Sequence, residues 1–464
     1  MAKVGYLPPV IPPALRRLLL VVLVALAAAG PADAFTKQSG TLTMDDGVAL
    51  AYSLYEPDGT APAGGWPGVL VLHGLGGNIA SVEAVSTSFA NGGYAVLAYD
   101  ARGHGASGGD VTLAGPREVA DLRAVRDALA GRPEVLDKVG AWGISYGGGQ
   151  IWNALAAGVP LAAAEVVETW TSLYEALWPQ DVARSGIVAG LASSVIPRSP
   201  LIAGLRDAAV QSTNPPAIRA LATERSALGR LGSVTTPVYL FQGRVDFVFD
   251  VTQASQAFSR LRGPKKLYLG TFGHTPSAFP GPDVGYVLSQ GLAWFDRFLK
   301  GTANGVESAK VVVAKQGSGT ARVSLQGLPA TKQQAFALPG SSKVSGNGLA
   351  SRSTAPLRAT LETWGGGTAR VTVPKLARYP RLVVTVLAGN TVVTHGALKP
   401  RQGVNVVKLA NYVVRVPKGT RLRVTVGPSS PAGQLAYLGF GDAGSATIGP
   451  ISLTLSRLAT LISG

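Results

Sequence analysis

Between residues 68 and 167, short uninterrupted apolar runs alternate with segments in which apolar side chains recur at helical spacing. Continuous apolar strands separated by helices are typical of a mostly parallel sheet that is covered on both faces. We therefore predict an α/β region, with strands at 68–72, 95–99, 139–142 and 161–167 and helices at 81–90, 116–130 and 150–157.

A different pattern begins near residue 300. Helical periodicity ends there, and strand-like runs such as AKVVVAK and RLVVTVLAG alternate with Gly, Pro and Ser turns. We predict a second, all-β domain at 304–464, built as a sandwich or jelly roll. Residues 168–233 interrupt the α/β alternation with helical segments broken by proline, and we interpret them as a cap within a first domain at 35–303.

The N-terminus has the features of a signal peptide rather than of folded structure. Basic residues precede an apolar run of 13 residues at 18–30, and an A-x-A motif ends at Ala34. We predict that residues 1–34 are removed and that the mature chain is secreted. An uncleaved membrane anchor is the less favoured alternative, because a bilayer-spanning helix needs about 20 apolar residues.

The composition of the chain excludes several kinds of catalytic and cofactor-binding site. The chain has no cysteine, which excludes disulfides and thiol catalysis, and its four histidines form no H-E-x-x-H motif. The glycine clusters do not combine with a strand, a helix and a downstream acid in the register of a dinucleotide-binding motif. We therefore expect no metal and no cofactor.

The net charge of +16 lies entirely in the predicted second domain. Residues 301–464 contain 19 Lys and Arg against 3 Asp and Glu, whereas residues 1–300 contain 23 of each kind. Such an excess favours attraction to an anionic membrane or envelope surface. The competing interpretation is the ordinary surface charge of a basic exported protein. Nucleic acid is not an expected partner, because no basic helix or pattern of stacking aromatics accompanies the charge.

The run VGAWGISYGGGQ places the pattern G-x-S-x-G around Ser145, between a predicted strand and a predicted helix. A sharp strand-to-helix turn exposes the serine hydroxyl and requires neighbours without a Cβ. The same pattern surrounds Ser107, but that serine lies in a glycine-rich loop with no helix directly after it. We therefore predict Ser145, rather than Ser107, as a nucleophile.

A serine nucleophile needs a base, and the base needs an acid that fixes its tautomer. In proteins with such an elbow the acid and then the histidine follow the serine along the chain, which leaves His274 and His395. We predict His274, because His395 lies in the all-β region. Asp246 is the preferred acid, since it falls in the turn after a strand-like run. Asp250 is the alternative, although its position also suits a helix cap.

Four segments together resemble the α/β-hydrolases, and within them the X-Pro dipeptidyl-peptidase and cocaine-esterase-like (peptidase S15-like) serine hydrolases: GISYGGG, YDARGHGASGG, WTSLYEALWP and WFDRFLKG. The resemblance covers about residues 40–300. It implies a mostly parallel eight-stranded sheet with helices on both faces, a helical cap and hydrolysis through an acyl-enzyme. A β-rich C-terminal domain is also typical of that group.

One segment departs from that group, whose members often use a tyrosine hydroxyl after the third strand as an oxyanion donor. This chain instead has HGLGG at 73–77, which is similar to the lipase and carboxylesterase arrangement. A tetrahedral intermediate needs two fixed donors, and amides beside glycines can approach it freely. We predict the backbone amides of Tyr146 and Leu75 in this role, and the alternative is a simple turn at Gly76 and Gly77.

Three aromatic residues open the predicted cap. Trp170, Tyr174 and Trp178 follow one another at intervals of four residues, which would place them on one face of a helix. They either fill the core of the cap or line a substrate pocket.

The residues together predict a secreted serine hydrolase that cleaves an ester or an X-Pro-type peptide bond in a small-molecule substrate. A dipeptidyl-peptidase needs acids that receive a free amine, and the cap offers Glu168, Glu175 and Asp181. An ester needs only an apolar pocket, and HGLGG favours an ester. The alternative is a catalytically silent binding protein of the same fold, anchored to the cell envelope by its basic domain. The natural substrate and the oligomeric state are not predicted.

Overall fold

The computed structural model describes residues 34–195, 199–211, 213, 216–275, 277, 280–441 and 443–462. The predicted signal peptide, apart from Ala34, lies outside the described residues. Within the described ranges, none of the helices combines the length and the apolar character that a membrane crossing requires.

Ten strands form one sheet, in the order β1-β2-β4-β3-β5-β6-β7-β8-β9-β10. The strands from β4 to β9 in this order pair in parallel, and β1, β2 and β10 pair in antiparallel fashion at the two edges. The strands are β1 Phe35–Thr43, β2 Ala49–Pro57, β3 Trp66–Leu72, β4 Ala95–Tyr99, β5 Val135–Ile144, β6 Ala163–Val167, β7 Val238–Gly243, β8 Lys265–Gly270, β9 Val311–Ala314 and β10 Arg322–Leu325.

Helices cover both faces of this sheet. Alternate strand residues point to opposite faces, so Leu70 packs in the cluster that contains Ile151 of α3, whereas Val69 packs in the cluster that contains Phe295 of α9. The helices around the sheet are α1 Glu83–Asn91, α2 Pro116–Ala130, α3 Tyr146–Ala156, α8 Val251–Arg260 and α9 Val284–Phe298. The helices of the cap are α4 Leu173–Leu177, α5 Ser185–Ala192, α6 Pro200–Val210 and α7 Pro216–Glu224. Short 3₁₀ turns lie at Ile79–Val82, Pro179–Asp181 and Leu228–Ser233.

The remaining strands form the β domain, in which every pairing is antiparallel. The sheet orders are β11-β22-β14-β18 with β19 added on β14, β12-β21-β15, and β13-β20-β16-β17. These strands are β11 Thr331–Leu338, β12 Ser342–Ser345, β13 Ala350–Ser353, β14 Leu361–Val373, β15 Lys375–Ala377, β16 Leu382–Ala388, β17 Thr391–Leu398, β18 Gly403–Leu409, β19 Arg415–Val416, β20 Leu422–Gly427, β21 Ser445–Ile448 and β22 Ile451–Leu458.

The α/β fold with a β-rich C-terminal region is confirmed, but the first sheet is larger than the predicted eight strands. The run AKVVVAK, interpreted from the sequence as part of the second domain, supplies β9, which pairs in parallel with β8. The first sheet therefore continues to Leu325, beyond the boundary predicted at residue 303. A short apolar strand carries no signal of which sheet it joins, because its pairing partners are distant in sequence.

Candidate active site

Ser145 lies at the junction of β5 and α3, with φ 52° and ψ −109°. Residues other than glycine rarely adopt a positive φ, so the surrounding structure must enforce this conformation at Ser145. A Cβ on Gly143 would lie 2.6 Å from the carbonyl carbon of Gly147, and a Cβ on Gly147 would lie 2.5 Å from the backbone oxygen of Leu72. The two glycines that flank the serine are therefore required sterically, as the sequence pattern predicts.

The structure brings Ser145, His274 and Asp246 together at the carboxyl ends of three parallel strands. Nε2 of His274 is 2.9 Å from Oγ of Ser145, and Nδ1 of His274 is 2.8 Å from Oδ2 of Asp246. Asp246 is fully buried, and its Oδ1 accepts hydrogen bonds from the amides of Val248 and Phe249 at 2.8 and 2.9 Å. This arrangement holds the proton of the imidazole on Nδ1 and leaves Nε2 able to take the serine proton.

Ser107 and His73 have structural roles. Oγ of Ser107 donates to the backbone oxygen of Asp100 at 2.6 Å and accepts from the amide of Ala51 at 2.9 Å, so it is fully engaged. His73 donates from Nδ1 to the oxygen of Gly74 and accepts at Nε2 from an amide after β4, which braces the HGLGG loop. Burial lowers the pKa of His73 to about 4 and keeps it neutral.

The predicted oxyanion amides lie on segments that meet at Ser145. Tyr146 is the first residue of α3, and the first amides of a helix have no partner within the helix. A Cβ on Gly74, directly before Leu75, would lie 3.6 Å from Cβ of Ser145. The hydroxyl of Tyr146 points away from the serine and donates to Glu118 at 2.6 Å. Only the backbone of Tyr146 is therefore available to a bound oxyanion.

Residues 46–276 match the family described as X-Pro dipeptidyl-peptidase (S15 family). The chain has the α/β-hydrolase fold and is a hydrolase. The matched residues of this hydrolase include Ser145, Asp246 and His274. No curated protein sequence matches the chain.

Solved structures resemble the hydrolase over both its sheet regions. A CocE/NonD family hydrolase from Staphylococcus aureus has a TM-score of 0.69 and 13% identity, covering 91% of this chain and 94% of that one. An aminopeptidase from a marine sediment archaeon, Thaumarchaeota archaeon, has 0.69 and 12%, covering 92% and 97%. An α-amino acid ester hydrolase has 0.68 and 14%, covering 94% and 99%. At such identities the likeness establishes the fold alone.

The loop that carries Asp246 is attached to the β domain of the hydrolase on both sides of the aspartate. Before it, Arg244 exchanges hydrogen bonds with Val413: the amide of Val413 donates to the Arg244 oxygen at 2.8 Å, and Nε of Arg244 donates to the Val413 oxygen at 3.1 Å. After it, Oδ2 of Asp250 accepts from the amide of Asn411 at 2.9 Å. Asp250, the alternative acid, also caps α8 by accepting from the amide of Thr252. Sequence reasoning missed this contribution of the β domain, which no local pattern encodes.

The cap reaches the same loop through Arg184. This buried guanidinium donates to the backbone oxygens of Phe247 and Val248, and its Nη2 lies 3.2 Å from Nε2 of His395. Burial, and then the charge of Arg184, hold the pKa of His395 well below its usual range. His395 is thus a neutral acceptor in the contact between cap, loop and β domain, and it is not one of the side chains hydrogen-bonded to Ser145, His274 or Asp246.

The three cap aromatics do not share a helical face, so that prediction is wrong. α4 spans only Leu173–Leu177, and Trp170 lies before it. The Trp170 ring packs against Gly149 of the elbow helix, and its Nε1 donates to a backbone oxygen 2.8 Å away. Tyr174 lies under the guanidinium of Arg219 with its hydroxyl on Asp181. Only Trp178 of the three lines the main pocket.

That pocket lies between the cap helices and the HGLGG loop. Every side chain that borders it is apolar, with contributions from α4 to α7 and from Leu75, Leu113 and Trp178. Leu75, which borders the pocket, directly follows Gly74, where a Cβ would lie 3.6 Å from Cβ of Ser145. Ser145 and His274 do not border the pocket themselves, so the HGLGG loop is the link between the candidate nucleophile and this apolar surface.

One group of metal-ligating side chains comes together among the described residues, and it overlaps the triad. The ligand atoms of Glu168, Asp246 and His274 lie within 4.8 Å of one another. An ion there would compete with the hydrogen bond between His274 and Asp246, so the geometry suits the triad rather than a metal. Glu168 was predicted from the sequence only as a candidate receiver of a substrate amine.

Proposed function

We propose that this hydrolase cleaves carboxylic esters through an acyl-enzyme. Ser145 attacks the carbonyl carbon while Nε2 of His274 takes its proton, and His274 then gives that proton to the leaving alkoxide. Water, deprotonated by His274, next attacks the acyl-enzyme, which releases the carboxylic acid and returns the proton to Ser145. Asp246 orients the imidazole and stabilises its charged form. The amides of Tyr146 and Leu75 hold the oxyanion. The observation that carries this mechanism is the continuous hydrogen-bonded chain from Ser145 through His274 to Asp246.

The choice of an ester over an X-Pro peptide rests on where the acids lie. Glu175 and Asp181 are exposed, and Asp181 is already engaged by Tyr174 and Arg219. Glu168 is buried beside His274 rather than in the pocket. None of the three borders the apolar pocket. A free substrate amine would find no carboxylate there, whereas an apolar acyl or alcohol group would be desolvated favourably.

Labelling with a fluorophosphonate tests the mechanism. We expect one label per chain in the wild type and none in Ser145→Ala. Ser107→Ala is the matched control, because it removes the serine of the second G-x-S-x-G pattern, and it should label at the wild-type rate when folded. Equal labelling of wild type and Ser145→Ala would assign the nucleophile elsewhere. Absence of labelling in all three folded proteins would favour the catalytically silent alternative.

A substrate panel tests the bond type. We expect p-nitrophenyl esters with apolar acyl chains to be cleaved with a kcat/KM at least a hundredfold above that for X-Pro p-nitroanilides. Efficient cleavage of the anilides, with loss on N-acetylation of the substrate, would instead establish an amine-dependent peptidase.

The location of the hydrolase and its attraction to surfaces are proposed from the sequence. The signal-peptide features support export with cleavage after Ala34, which N-terminal sequencing of the secreted protein would test.

The excess of 16 positive charges in residues 301–464 supports binding to an anionic surface. Binding to phosphatidylglycerol vesicles should exceed binding to phosphatidylcholine vesicles and should fall as NaCl rises, because salt screens surface charge. Binding to phosphatidylglycerol vesicles that stays constant as NaCl rises would contradict an electrostatic attraction.

A further inference from the structure

A second acid lies beside the proposed triad. Glu168 follows β6 directly, next to β7, whose end leads to Asp246. Oε2 of Glu168 is 3.9 Å from Nδ1 of His274, the same nitrogen that Asp246 contacts at 2.8 Å. Glu168 is 2% exposed. Two buried carboxyl groups therefore face one nitrogen of the imidazole.

The backbone fixes the position of this second acid. Glu168 has φ 46°, a left-handed conformation that is unfavourable for a residue with a Cβ. Its amide donates to the oxygen of Phe241 at 2.8 Å, which continues the pairing of β6 with β7 beyond the end of the strand. The fold thus holds Glu168 at this point despite the local strain.

The two acids differ in their hydrogen bonds. The carboxylate of Asp246 accepts from two amides and from His274. Oε1 of Glu168 is buried without a hydrogen-bond partner among the described residues. A buried carboxylate without donors is strongly disfavoured, so a neutral carboxylic acid fits this position. Burial, and then the charges of Asp246 and Asp283, raise the pKa of Glu168 well above its usual range.

We propose that Glu168 is a reserve acid for His274, a positioning residue that can orient the imidazole when Asp246 carries no charge. The inference rests on the proposed function. Burial, and then the charges of Asp246 and Asp283, keep Glu168 protonated. Removing the charge of Asp246 removes one of these causes, so Glu168 releases its proton to solvent at a lower pH than in the wild type and then accepts a hydrogen bond from Nδ1 of His274. This contact requires a shift of about 1 Å, from 3.9 Å to hydrogen-bond length.

The surroundings allow that shift. Glu168 borders a small space between β6, β7 and α8 that is lined in part by Gln242 and Gln253. The ionisable groups that face Glu168 are Asp246, His274 and Asp283. The carboxylate of Asp283 is held by the hydroxyl of Tyr268 and the amide of Thr271, and it remains in place in the variants below.

The test compares three variants: Asp246→Asn, Asp246→Asn with Glu168→Gln, and Asp246→Asn with Glu165→Gln. Glu165 is the matched control, since it lies on β6 three residues before Glu168, is buried, and likewise has an oxygen without a partner among the described residues. The measurement is the second-order rate of fluorophosphonate labelling between pH 6 and 10, with circular dichroism to verify folding.

Loss of the triad acid alone costs about 10⁴-fold in the best-studied serine hydrolases. We expect Asp246→Asn to label at least a hundredfold faster than the variant that also carries Glu168→Gln, with a rate that rises with pH as Glu168 ionises. The Glu165→Gln control should match Asp246→Asn. A merely structural role of Glu168 would lower the rate without altering its pH dependence.

Equal rates for Asp246→Asn and its Glu168→Gln derivative at every pH would overturn the reserve role while leaving the triad intact. Labelling of Ser145→Ala at the wild-type rate would instead overturn the proposed function itself. Should the Asn variant not fold, the same comparison is made with Asp246→Ser, which keeps an acceptor for the amides of Val248 and Phe249.

Discussion

Phe247 lies flat against Tyr412, with ring centroids 5.1 Å apart and ring planes inclined by 18°. Phe247 directly follows Asp246, and Tyr412 lies between Asn411 and Val413, which bond the same loop through their backbones. The β domain therefore packs against the loop that carries Asp246. The geometry of the proposed triad thus depends on both parts of the chain.

This dependence predicts that Tyr412→Leu lowers kcat about tenfold at temperatures well below unfolding. Loss of the Tyr412 ring leaves the loop that carries Phe247 and Asp246 free to move. A displacement of the order of 1 Å in a catalytic loop costs up to about a hundredfold in rate. The measurement is ester hydrolysis under saturating substrate, together with the thermal unfolding midpoint.

Tyr379→Leu is the control for this prediction. Tyr379 is a buried tyrosine in the same hydrophobic core, and its hydroxyl has no hydrogen-bond partner among the described residues. Both variants should lose about 1 to 3 kcal/mol of stability. An equal loss of kcat in the two would mean that general destabilisation, rather than the Phe247 contact, affects the rate.

The elbow gives a prediction about sterics. Gly147→Ala would place a methyl group 2.5 Å from the backbone oxygen of Leu72, and the backbone cannot rotate away as a side chain can. We expect α3 to move off the sheet, a stability loss of about 1 to 3 kcal/mol, and a fall in kcat of at least a hundredfold. Gly190→Ala in α5 meets nothing within 4 Å and should leave kcat unchanged. Normal activity in Gly147→Ala would show that the elbow tolerates a Cβ.

These examples mark what the sequence can and cannot predict. Apolar runs and glycine spacing locate the strands and the elbow, because each depends on local backbone requirements. Asp246 and His274 follow instead from the order in which an acid and a histidine succeed such an elbow along the chain. The helix predicted at 116–130 has those bounds in the structure. The identity of Phe247 as an anchor depends on packing against a residue 165 positions away, and no local pattern encodes such a pairing.

The cap was predicted less well for a related reason. Spacing of four residues placed Trp170, Tyr174 and Trp178 on one helix, but the helix is a single short one at Leu173–Leu177. Trp170 instead fills the space left by Gly149, a tertiary contact that overrides helical periodicity. The same holds for Glu168, whose closeness to His274 follows from the strand order rather than from any motif.

The apolar pocket predicts a selectivity that can be changed. Ala192 lines it and is 2% exposed, so Ala192→Phe should fill much of its volume. We expect kcat/KM for p-nitrophenyl octanoate to fall at least tenfold while that for the acetate stays within about threefold, because burial of each methylene contributes about 0.8 kcal/mol. Ala189→Phe, on the same helix but outside the pocket lining, is the control. Equal losses for both esters would mean that the pocket does not receive the acyl chain.

The buried His104 predicts how stability depends on pH. Its Nδ1 lies 3.0 Å from the oxygen of Arg102, and its Nε2 has no partner among the described residues. Burial, and then the nearby His73, lower the pKa of His104 to about 4, against about 6.5 for an unfolded chain. Because the folded value is the lower one, the unfolded state binds the proton first as the pH falls. The stability that depends on His104 is therefore present above pH 6.5 and is lost between pH 6.5 and 4.

Comparison with His104→Gln isolates this effect, since buried acids such as Glu118, whose pKa is raised by burial, act in the opposite direction in both proteins. The difference in the free energy of unfolding, wild type minus variant, should decrease by about 1 kcal/mol between pH 7.5 and 5.5. Urea titrations at each pH measure it. A difference that stays constant over this range would mean that His104 takes up its proton as readily in the folded chain as in the unfolded one.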